Sequence, residues 1–395
     1  MLTTLAIANY RSLRNLVIPL GRLNLITGAN GAGKSSLYRA LQLLAATARG
    51  EVIPWLAKEG GLSSTLWAGP EKFSQEMVRG AAPIRGGPRT EPVSLRLGFS
   101  SDEYGYAIDF GLPTPRVGDT PHKPSAFSLD PEIKRECIWH GPKLRPSTML
   151  VDRHGSVVRS RGDSGEWDVV TDNLAGFDSM MARLADPRRT PEVLVLRDAI
   201  RGWRFYDHFR SDAQAAARIP QVGTHTPVLS DDGHDLASAI QTIREIGDDA
   251  ELNSSVFDAF PRSSLEVEDV GGRFVLKMRQ HGLLRPLHAG ELSDGTLRYL
   301  LWIAALLTPR PPALLVLNEP ETSLHPDLLP PLARLIARAA KRTQVAVVSH
   351  AHGLISHLSQ QEDCRWIRLE KELSATRLAG LNKITEQTPW HWPAR

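Results

Sequence analysis

The sequence lacks the features of a disulfide-stabilised, membrane-spanning or strongly charged protein. Its 395 residues include only two cysteines, Cys137 and Cys364, which excludes a disulfide framework and a cysteine-based zinc site and suits a reducing compartment. The longest uninterrupted apolar run, Leu300 to Leu307, is far shorter than the roughly 20 residues of a membrane-spanning helix. The formal net charge is only +3, so composition gives no global basic footprint for nucleic acid, although a local basic patch stays open.

What is present is an ordinary globular composition. Hydrophobic residues make up 42% of the chain and charged residues 23%, and the chain is long enough to bury a core without disulfides or metals. The apolar N-terminal stretch is interrupted by Asn9, Arg11 and Arg14, so it lacks the order of a signal peptide. We therefore expect a soluble, cytoplasmic protein with no membrane partner.

Hydrophobic periodicity predicts a strand-and-helix pattern at both ends of the chain. Strand-like runs at residues 2–8, 16–20 and 23–27 lead into a helix predicted at 35–48. Near the other end, Ala313 to Leu317 is a continuous apolar run that predicts a buried parallel strand, and a second such strand is predicted at residues 344–348. We expect an α/β fold in which one mixed sheet is built from both ends of the chain.

The middle of the chain changes from β-like runs to helices at about residue 176. Helices are predicted at 177–184, 192–209, 236–246 and 250–260, with a hairpin at 265–278 and glycine- and proline-rich loops at 79–92 and 112–124. The expected architecture is an N-terminal lobe at 1–175, an inserted helical lobe with the hairpin at 176–308, and a C-terminal lobe at 309–395.

A glycine-rich octamer lies between the third strand and the first helix. Residues 28–35 read Gly-Ala-Asn-Gly-Ala-Gly-Lys-Ser and fit the phosphate-loop pattern G-x-x-x-x-G-K-[ST] in its proper context. Backbone N–H groups and the helix N-terminus would cradle phosphates, Lys34 would place a charge between the β- and γ-phosphates, and Ser35 would bind Mg²⁺. The octamer predicts ATP and Mg²⁺ as cofactors, with contacts from Gly28, Asn30, Gly31, Ala32, Gly33, Lys34, Ser35 and Ser36.

Polar residues follow both buried C-terminal strands. Asn318 and Glu319 come after the strand at 313–317, and His350 comes shortly after the strand at 344–348. Ligands bind at the carboxyl ends of parallel strands, so Glu319 is placed to polarise a water and His350 to bond the γ-phosphate. Asn318 stands where such sites usually carry aspartate; its amide can orient a magnesium-bound water but adds no charge. We predict Glu319, His350 and Lys34 as catalytic residues and Ser35 and Asn318 as metal ligands.

A short motif at residues 291–296, Glu-Leu-Ser-Asp-Gly-Thr, lies at the start of a predicted apolar helix and has two interpretations. Ser293 or Asp294 could simply cap the helix. Alternatively, Ser293 and Gly295, at the helix N-terminus, could hold a γ-phosphate bound by a second subunit.

Together these elements resemble the ABC-type ATPase heads of the RecF, SMC and OLD group, and more closely the RecF-like predicted ATPases of the AAA family. The segments that carry the resemblance are NYRSL at 9–13, the phosphate loop, LSDGTLRYL at 292–300 and LNEPETSLHP at 317–326. The resemblance implies an ABC-type P-loop ATPase that hydrolyses ATP and forms an ATP-dependent homodimer.

The resemblance also assigns further residues to the site. It implies that Tyr10, Arg11 and Ser12 lie near the nucleotide base and sugar. It implies that Glu321, Ser323 and His325 form a D-loop that couples two sites across the dimer, with Glu321 facing the partner. No glutamine can be assigned to the Q-loop of this family, and Gln75 is only a weak candidate.

The resemblance implies a role in DNA repair, genome maintenance or anti-phage defence, with a separate effector or nuclease protein as a candidate partner. Two other functions stay open: an ATP-dependent switch or scaffold for an effector with little turnover, and the motor of a membrane transporter. The missing Q-loop glutamine and the large insert argue against the transporter.

Two other segments allow a bland and a functional interpretation. One is a cluster of arginines and aromatics that could bind DNA phosphates, or could be an amphipathic helix with its aromatics in the core and its arginines solvated, which we favour; its members are Arg197, Arg201, Trp203, Arg204, Phe205, Tyr206, Phe209 and Arg210. The other is Trp390-His391-Trp392, which could be an anchor or a disordered tail.

Overall fold

The computed structural model describes residues 1–86, 90–113, 125–162, 164–380 and 388–395. Within them the strands are β1 Leu2–Tyr10, β2 Leu13–Pro19, β3 Leu23–Gly28, β4 Leu95–Ser101, β5 Tyr104–Gly111, β6 Glu132–His140, β7 Met149–His154, β8 Val157–Arg161, β9 Trp167–Thr171, β10 Arg204–Tyr206, β11 Gln221–Val222, β12 Ser264–Val270, β13 Arg273–Arg279, β14 Leu287–His288, β15 Leu314–Asn318, β16 Gln344–Val348, β17 Cys364–Glu372 and β18 Ala375–Leu378.

The α-helices of the same residues are α1 Lys34–Arg49, α2 Val52–Lys58, α3 Leu62–Thr65, α4 Gln75–Val78, α5 Met180–Arg183, α6 Pro191–Arg201, α7 Leu236–Ile246, α8 Asp249–Ala259, α9 Asp294–Leu306, α10 Leu329–Ala340 and α11 His352–Ser359. No helix among the described residues is both long enough and apolar enough to cross a membrane.

The chain forms two compact units. The first comprises residues 1–20, 28–201 and 367–395, and the second comprises 21–27 and 202–366. These boundaries differ from the three lobes expected from the sequence, because segments from both ends of the chain return to each unit.

The first unit is built on an antiparallel sheet in the order β2-β1-β4-β5-β6-β7-β8-β9. Helix α1 packs against β1, β4 and α6, with Leu37, Leu41 and Leu44 buried on its inner side. The segment 388–395 lies on the same unit: the rings of Trp390 and Trp139 are 5.7 Å apart. The segment that contains Trp390, His391 and Trp392 is therefore anchored on the first unit and is not a disordered tail.

The second unit contains four parallel strands in the order β10-β15-β16-β3. Asn318 is in register with Val348, and Val348 with Ile26, so these three strands end at one edge of the sheet. The second unit also contains the small sheet β11-β13-β12, with β14 paired to β13. Helices α9 and α10 pack together over a core that includes Leu300 and Leu335.

Much of the expected fold is confirmed, and two predicted helices are wrong. A sheet built from both ends of the chain is present, since β3 pairs with β16 and β16 with β15, while β1 and β2 belong to the separate antiparallel sheet. The helix predicted at 177–184 is reduced to the single turn α5. The helix predicted at 192–209 ends at Arg201, because Gly202 follows and the next residues form β10 with Phe205 and Tyr206 buried.

The aromatics of the arginine–aromatic cluster are buried, as the favoured interpretation expected, but they lie in and around β10 and not on an amphipathic helix. Trp203, Phe205, Tyr206 and Phe209 all lie in the core. The loop predicted at 112–124 falls almost entirely outside the described residues, as do 87–89 of the loop predicted at 79–92.

Candidate functional site

The predicted site residues form two groups, and the first is the phosphate loop between β3 and α1. Gly33 has φ 106° and caps α1. A side chain there would bring its Cβ within 2.3 Å of Thr376 Oγ1, and at Gly28 a Cβ would lie 2.5 Å from the carbonyl oxygen of Leu369. Only glycine fits both positions, so the glycines of the motif are required by backbone conformation and close approach.

The polar side chains of the loop differ in burial. Lys34 is buried, and its Nζ donates to the carbonyl oxygens of Gly28 at 2.6 Å and Ala29 at 3.2 Å. Ser35 is exposed in the first turn of α1 and Ser36 is half-buried. The ammonium is thus held against the loop, while the Ser35 hydroxyl and the first N–H groups of α1 lie at an open helix N-terminus, which favours anions.

The hairpin β17–β18 packs on this loop within the first unit. Thr376 Oγ1 donates to the carbonyl oxygen of Ala32 at 2.9 Å and to Ser12 Oγ at 2.8 Å. Lys371 Nζ lies 3.9 Å from the position that a Cβ on Gly31 would occupy. Sequence reasoning missed this hairpin and its second cation, because the segment carries no motif.

The residues expected near the base and sugar divide into two that suit that role and one that does not. Arg11 and Ser12 line a cavity of about 530 Å³ together with Trp67 and Phe73. Tyr10 is fully buried instead, and burial raises the pKa of its phenol. The structure therefore does not support Tyr10 as a nucleotide contact, because its hydroxyl lies inside the core.

The second group lies at the carboxyl edge of the parallel sheet. Glu319 has φ 49°, a left-handed conformation that is uncommon outside glycine and is held here by an N–H donated to the Val348 carbonyl oxygen at 2.8 Å. Its carboxylate is partly exposed, and Oε1 lies 3.4 Å from Nδ1 of His350. The two predicted catalytic residues of this unit therefore meet across the ends of β15 and β16.

Glu321 does not face outward, as the resemblance had implied. Its side chain is buried, and Oε1 accepts hydrogen bonds from Ser349 Oγ at 2.7 Å, His350 N at 3.0 Å and Ala351 N at 3.1 Å. Its second oxygen, Oε2, is buried without a hydrogen-bond partner among the described residues. Glu321 therefore fixes the backbone that carries His350, a role that spacing in the sequence could not reveal.

Asn318 has a partner that the sequence did not suggest. Its Nδ2 donates a hydrogen bond at 2.6 Å to Oδ1 of Asp207, which is the residue that follows β10. The hydroxyl of Ser35 and the amide oxygen of Asn318 are hard oxygen donors of the kind that magnesium prefers, so the residues present fit that ion. Gln75, the weak Q-loop candidate, lies in the short exposed helix α4.

The motif before α9 has the geometry of a helix cap. Ser293 Oγ accepts from Thr296 N at 3.2 Å, and Ser293 itself is exposed. The helix is tied to the segment after β15, because buried Arg298 donates to the Thr322 carbonyl oxygen at 2.8 Å. Capping is therefore present, and since the helix N-terminus is also open, a role for Ser293 and Gly295 in a second subunit's site stays a prediction.

Comparison with known proteins agrees with these motifs. Residues 177–356 match the family described as "AAA domain, putative AbiEii toxin, Type IV TA system", and residues 1–72 match the family described as "AAA ATPase domain". The sequence matches no curated protein.

Solved structures of SMC heads are similar to nearly the full length of this chain. An SMC head bound to the C-winged helix domain of ScpA is 12% identical, with 95% of this chain and 97% of that chain covered and a TM-score of 0.50. An SMC head domain from Thermotoga maritima is 13% identical, with 95% of this chain and 97% of that chain covered and a TM-score of 0.41.

The first of these matches shows the fold: the chain has the mixed α/β fold of an SMC-type P-loop ATPase head. The fold that the resemblance implied is thereby confirmed, and the two family matches, both to AAA domains, support an ATP-binding ATPase.

Proposed function

We propose that the protein is a cytoplasmic enzyme that binds ATP with Mg²⁺, hydrolyses the γ-phosphate bond, and forms a homodimer when ATP is bound. The observation that carries this proposal is the position of the phosphate loop. It begins directly after β3, and β3 ends in register with β16 and β15, whose ends carry His350, Asn318 and Glu319. Ligands of parallel sheets bind at this edge.

Each residue has a distinct part in the proposed reaction. Lys34 and the loop N–H groups hold the phosphates, while Arg11 and Ser12 border a cavity that suits a base and sugar. Glu319 accepts a proton from the attacking water, and His350, held by Glu321, donates a hydrogen bond to the γ-phosphate. Magnesium, when bound through Ser35 and Asn318, neutralises charge on the phosphate oxygens.

ATP binding is tested by Lys34→Ala. This variant removes the buried cation of the loop, so calorimetric ATP affinity should fall by at least about a hundredfold, since charge-assisted bonds contribute roughly 1.5–3 kcal/mol each and Lys34 would make several. Lys143→Ala, an exposed lysine between β6 and β7, is the matched control and should bind normally. Unchanged affinity in Lys34→Ala would remove the phosphate-loop assignment.

Dimerisation is tested at the N-terminus of α9. Ser293→Arg should leave ATP binding by the monomer intact and block the ATP-dependent dimer, because Ser293 and Gly295 would complete the partner's site. Ser254→Arg, at an exposed serine of α8, serves as the control. Light scattering with ATP decides the point, and a normal dimer in Ser293→Arg would leave Ser293 as a helix cap alone.

An ATP-dependent switch with little turnover is the second candidate, and the uncharged Asn318 favours it. Wild-type protein that dimerises with ATP and Mg²⁺ but shows no turnover would select this function. The wider role follows from the resemblance alone: DNA repair, genome maintenance or anti-phage defence, with a separate effector or nuclease as partner. The SMC head to which the chain is similar was solved with a bound ScpA domain, which makes a protein partner a reasonable expectation.

A further inference from the structure

The carboxylate of Asp207, which follows β10, lies against Asn318, the residue that stands where such sites usually carry an aspartate. β10 and β15 run parallel with Tyr206 opposite Leu317, so the next residue of each, Asp207 and Asn318, meet at the carboxyl edge of the sheet. Nδ2 of Asn318 donates to Oδ1 of Asp207 at 2.6 Å. The negative charge that is missing from the end of β15 is therefore present at the end of β10.

The same contact fixes the orientation of the Asn318 amide. An ionised carboxylate only accepts hydrogen bonds, so Asn318 must present its NH₂ group to Asp207. Its amide oxygen is then directed elsewhere and can accept a hydrogen bond from a metal-bound water. Asp207 is exposed, and among the described residues Asn318 is its only hydrogen-bond partner, so one carboxylate oxygen is open to solvent.

We infer that Asp207 is a positioning residue for magnesium: its carboxylate supplies the charge, and it holds the Asn318 amide toward the hydrated ion. This inference rests on the proposed ATP- and magnesium-binding function. Mg²⁺ keeps several waters and is usually held by one or two carboxylates together with substrate phosphates. Partners that orient a metal ligand change metal affinity by about 10- to 100-fold.

The test measures ATP affinity by calorimetry at a series of magnesium concentrations and in EDTA. Magnesium is expected to increase ATP affinity, and Asp207→Asn should raise the magnesium concentration at which half of that increase is reached by about tenfold or more. The ATP affinity measured in EDTA should be unchanged. Asp363→Asn removes an exposed carboxylate from the same unit, after α11, and should behave as wild type. Melting temperatures establish that each variant is folded.

The exchange variant Asp207→Asn with Asn318→Asp separates charge position from mere disruption. It keeps one carboxylate and one amide with their hydrogen bond reversed, so its magnesium requirement should return to within about threefold of wild type. Asn318→Asp alone is uninformative, because it places two like charges side by side.

Two results would overturn the inference: an Asp207→Asn titration that superimposes on wild type, or an exchange variant no better than Asp207→Asn. Both leave the proposed function standing, provided that wild type binds ATP more tightly with magnesium. If wild type binds no ATP under either condition, the proposed function fails first and this inference with it.

Discussion

The phosphate loop and the carboxyl edge of the parallel sheet are built in different ways. We call this edge the acidic edge; it carries Asp207, Asn318, Glu319, Glu321 and His350. The loop is one continuous segment whose geometry depends on glycines and a helix N-terminus, and among the described residues its lysine donates only to carbonyl oxygens of the loop itself. The acidic edge is assembled from the ends of three strands that are far apart in the sequence, and its side chains hold one another. Backbone therefore defines the first region, and side-chain pairing defines the second.

This difference leads to different sensitivities. In the loop, we expect Lys34 and the glycine-dependent backbone to provide most of the phosphate affinity, and neighbouring side chains to change that affinity only slightly. At the acidic edge, every polar side chain has a partner that sets its position, so a substitution there changes the neighbour as well as itself. Substitutions that preserve shape and remove charge are the sharpest way to examine the acidic edge.

The largest effect is expected at Glu319. Glu319→Gln keeps shape and hydrogen bonding but removes the proton acceptor, and a positioned base contributes about 10²–10⁴-fold to a rate. Steady-state hydrolysis should therefore fall at least about a hundredfold, while ATP binding stays normal and the ATP-bound dimer accumulates.

Glu362→Gln, an exposed carboxylate that follows α11, is the control for Glu319→Gln. Hydrolysis by Glu319→Gln at the wild-type rate would mean that the base lies elsewhere. It would also mean that the contact between Glu319 and His350 is structural.

The next effect is expected at Glu321, where charge and shape can be separated. Glu321→Ala removes the acceptor of the buried Ser349 hydroxyl and of the His350 N–H, while the Ala351 N–H keeps Ser349 Oγ at 3.2 Å, so the cost is about 1–3 kcal/mol. At about 2–4 °C per kcal/mol, the melting temperature should drop by several degrees, and hydrolysis should fall because His350 is no longer fixed.

Glu321→Gln is the matched control, because all three donors bond Oε1 and the Oε2 position has no partner to lose. The amide oxygen of glutamine can accept the same bonds, so stability should stay near wild type. If Glu321→Ala melts and turns over like wild type, the carboxylate does not hold the His350 backbone.

The comparison also explains what the sequence could predict. The phosphate loop is local, so its spacing between β3 and α1 predicted its glycines and Lys34 together as one continuous motif. Strands β15 and β16 are apolar runs, which placed Asn318, Glu319 and His350 after them. These predictions use patterns that neighbouring residues display by themselves.

The missed residues depend on pairing between distant segments. Asp207 was hidden because β10 has only three residues and follows a helix that the periodicity extended too far. Glu321 was placed outward, because the sequence does not show that the backbone after β16 lies above it. Tyr10 was assigned by its position in a motif, and the structure instead buries it at the end of β1, two residues beyond the predicted strand.

The smallest effect is expected at Lys371, the second cation beside the phosphate loop. It is exposed on β17 with Nζ near Gly31, so it could reach a bound phosphate without being part of the loop. Exposed charge interactions contribute about 0.3–1 kcal/mol, so Lys371→Ala should weaken ATP binding by roughly two- to fivefold. The loss should shrink as salt is added, because exposed charges are screened.

Calorimetry at low and high salt checks this, with Lys143→Ala as the matched control. A loss as large as that of Lys34→Ala would contradict the comparison, because the loop would then depend on a side chain from a distant segment as the acidic edge does. A loss that persists unchanged at high salt would indicate that Lys371 supports the hairpin rather than the phosphate.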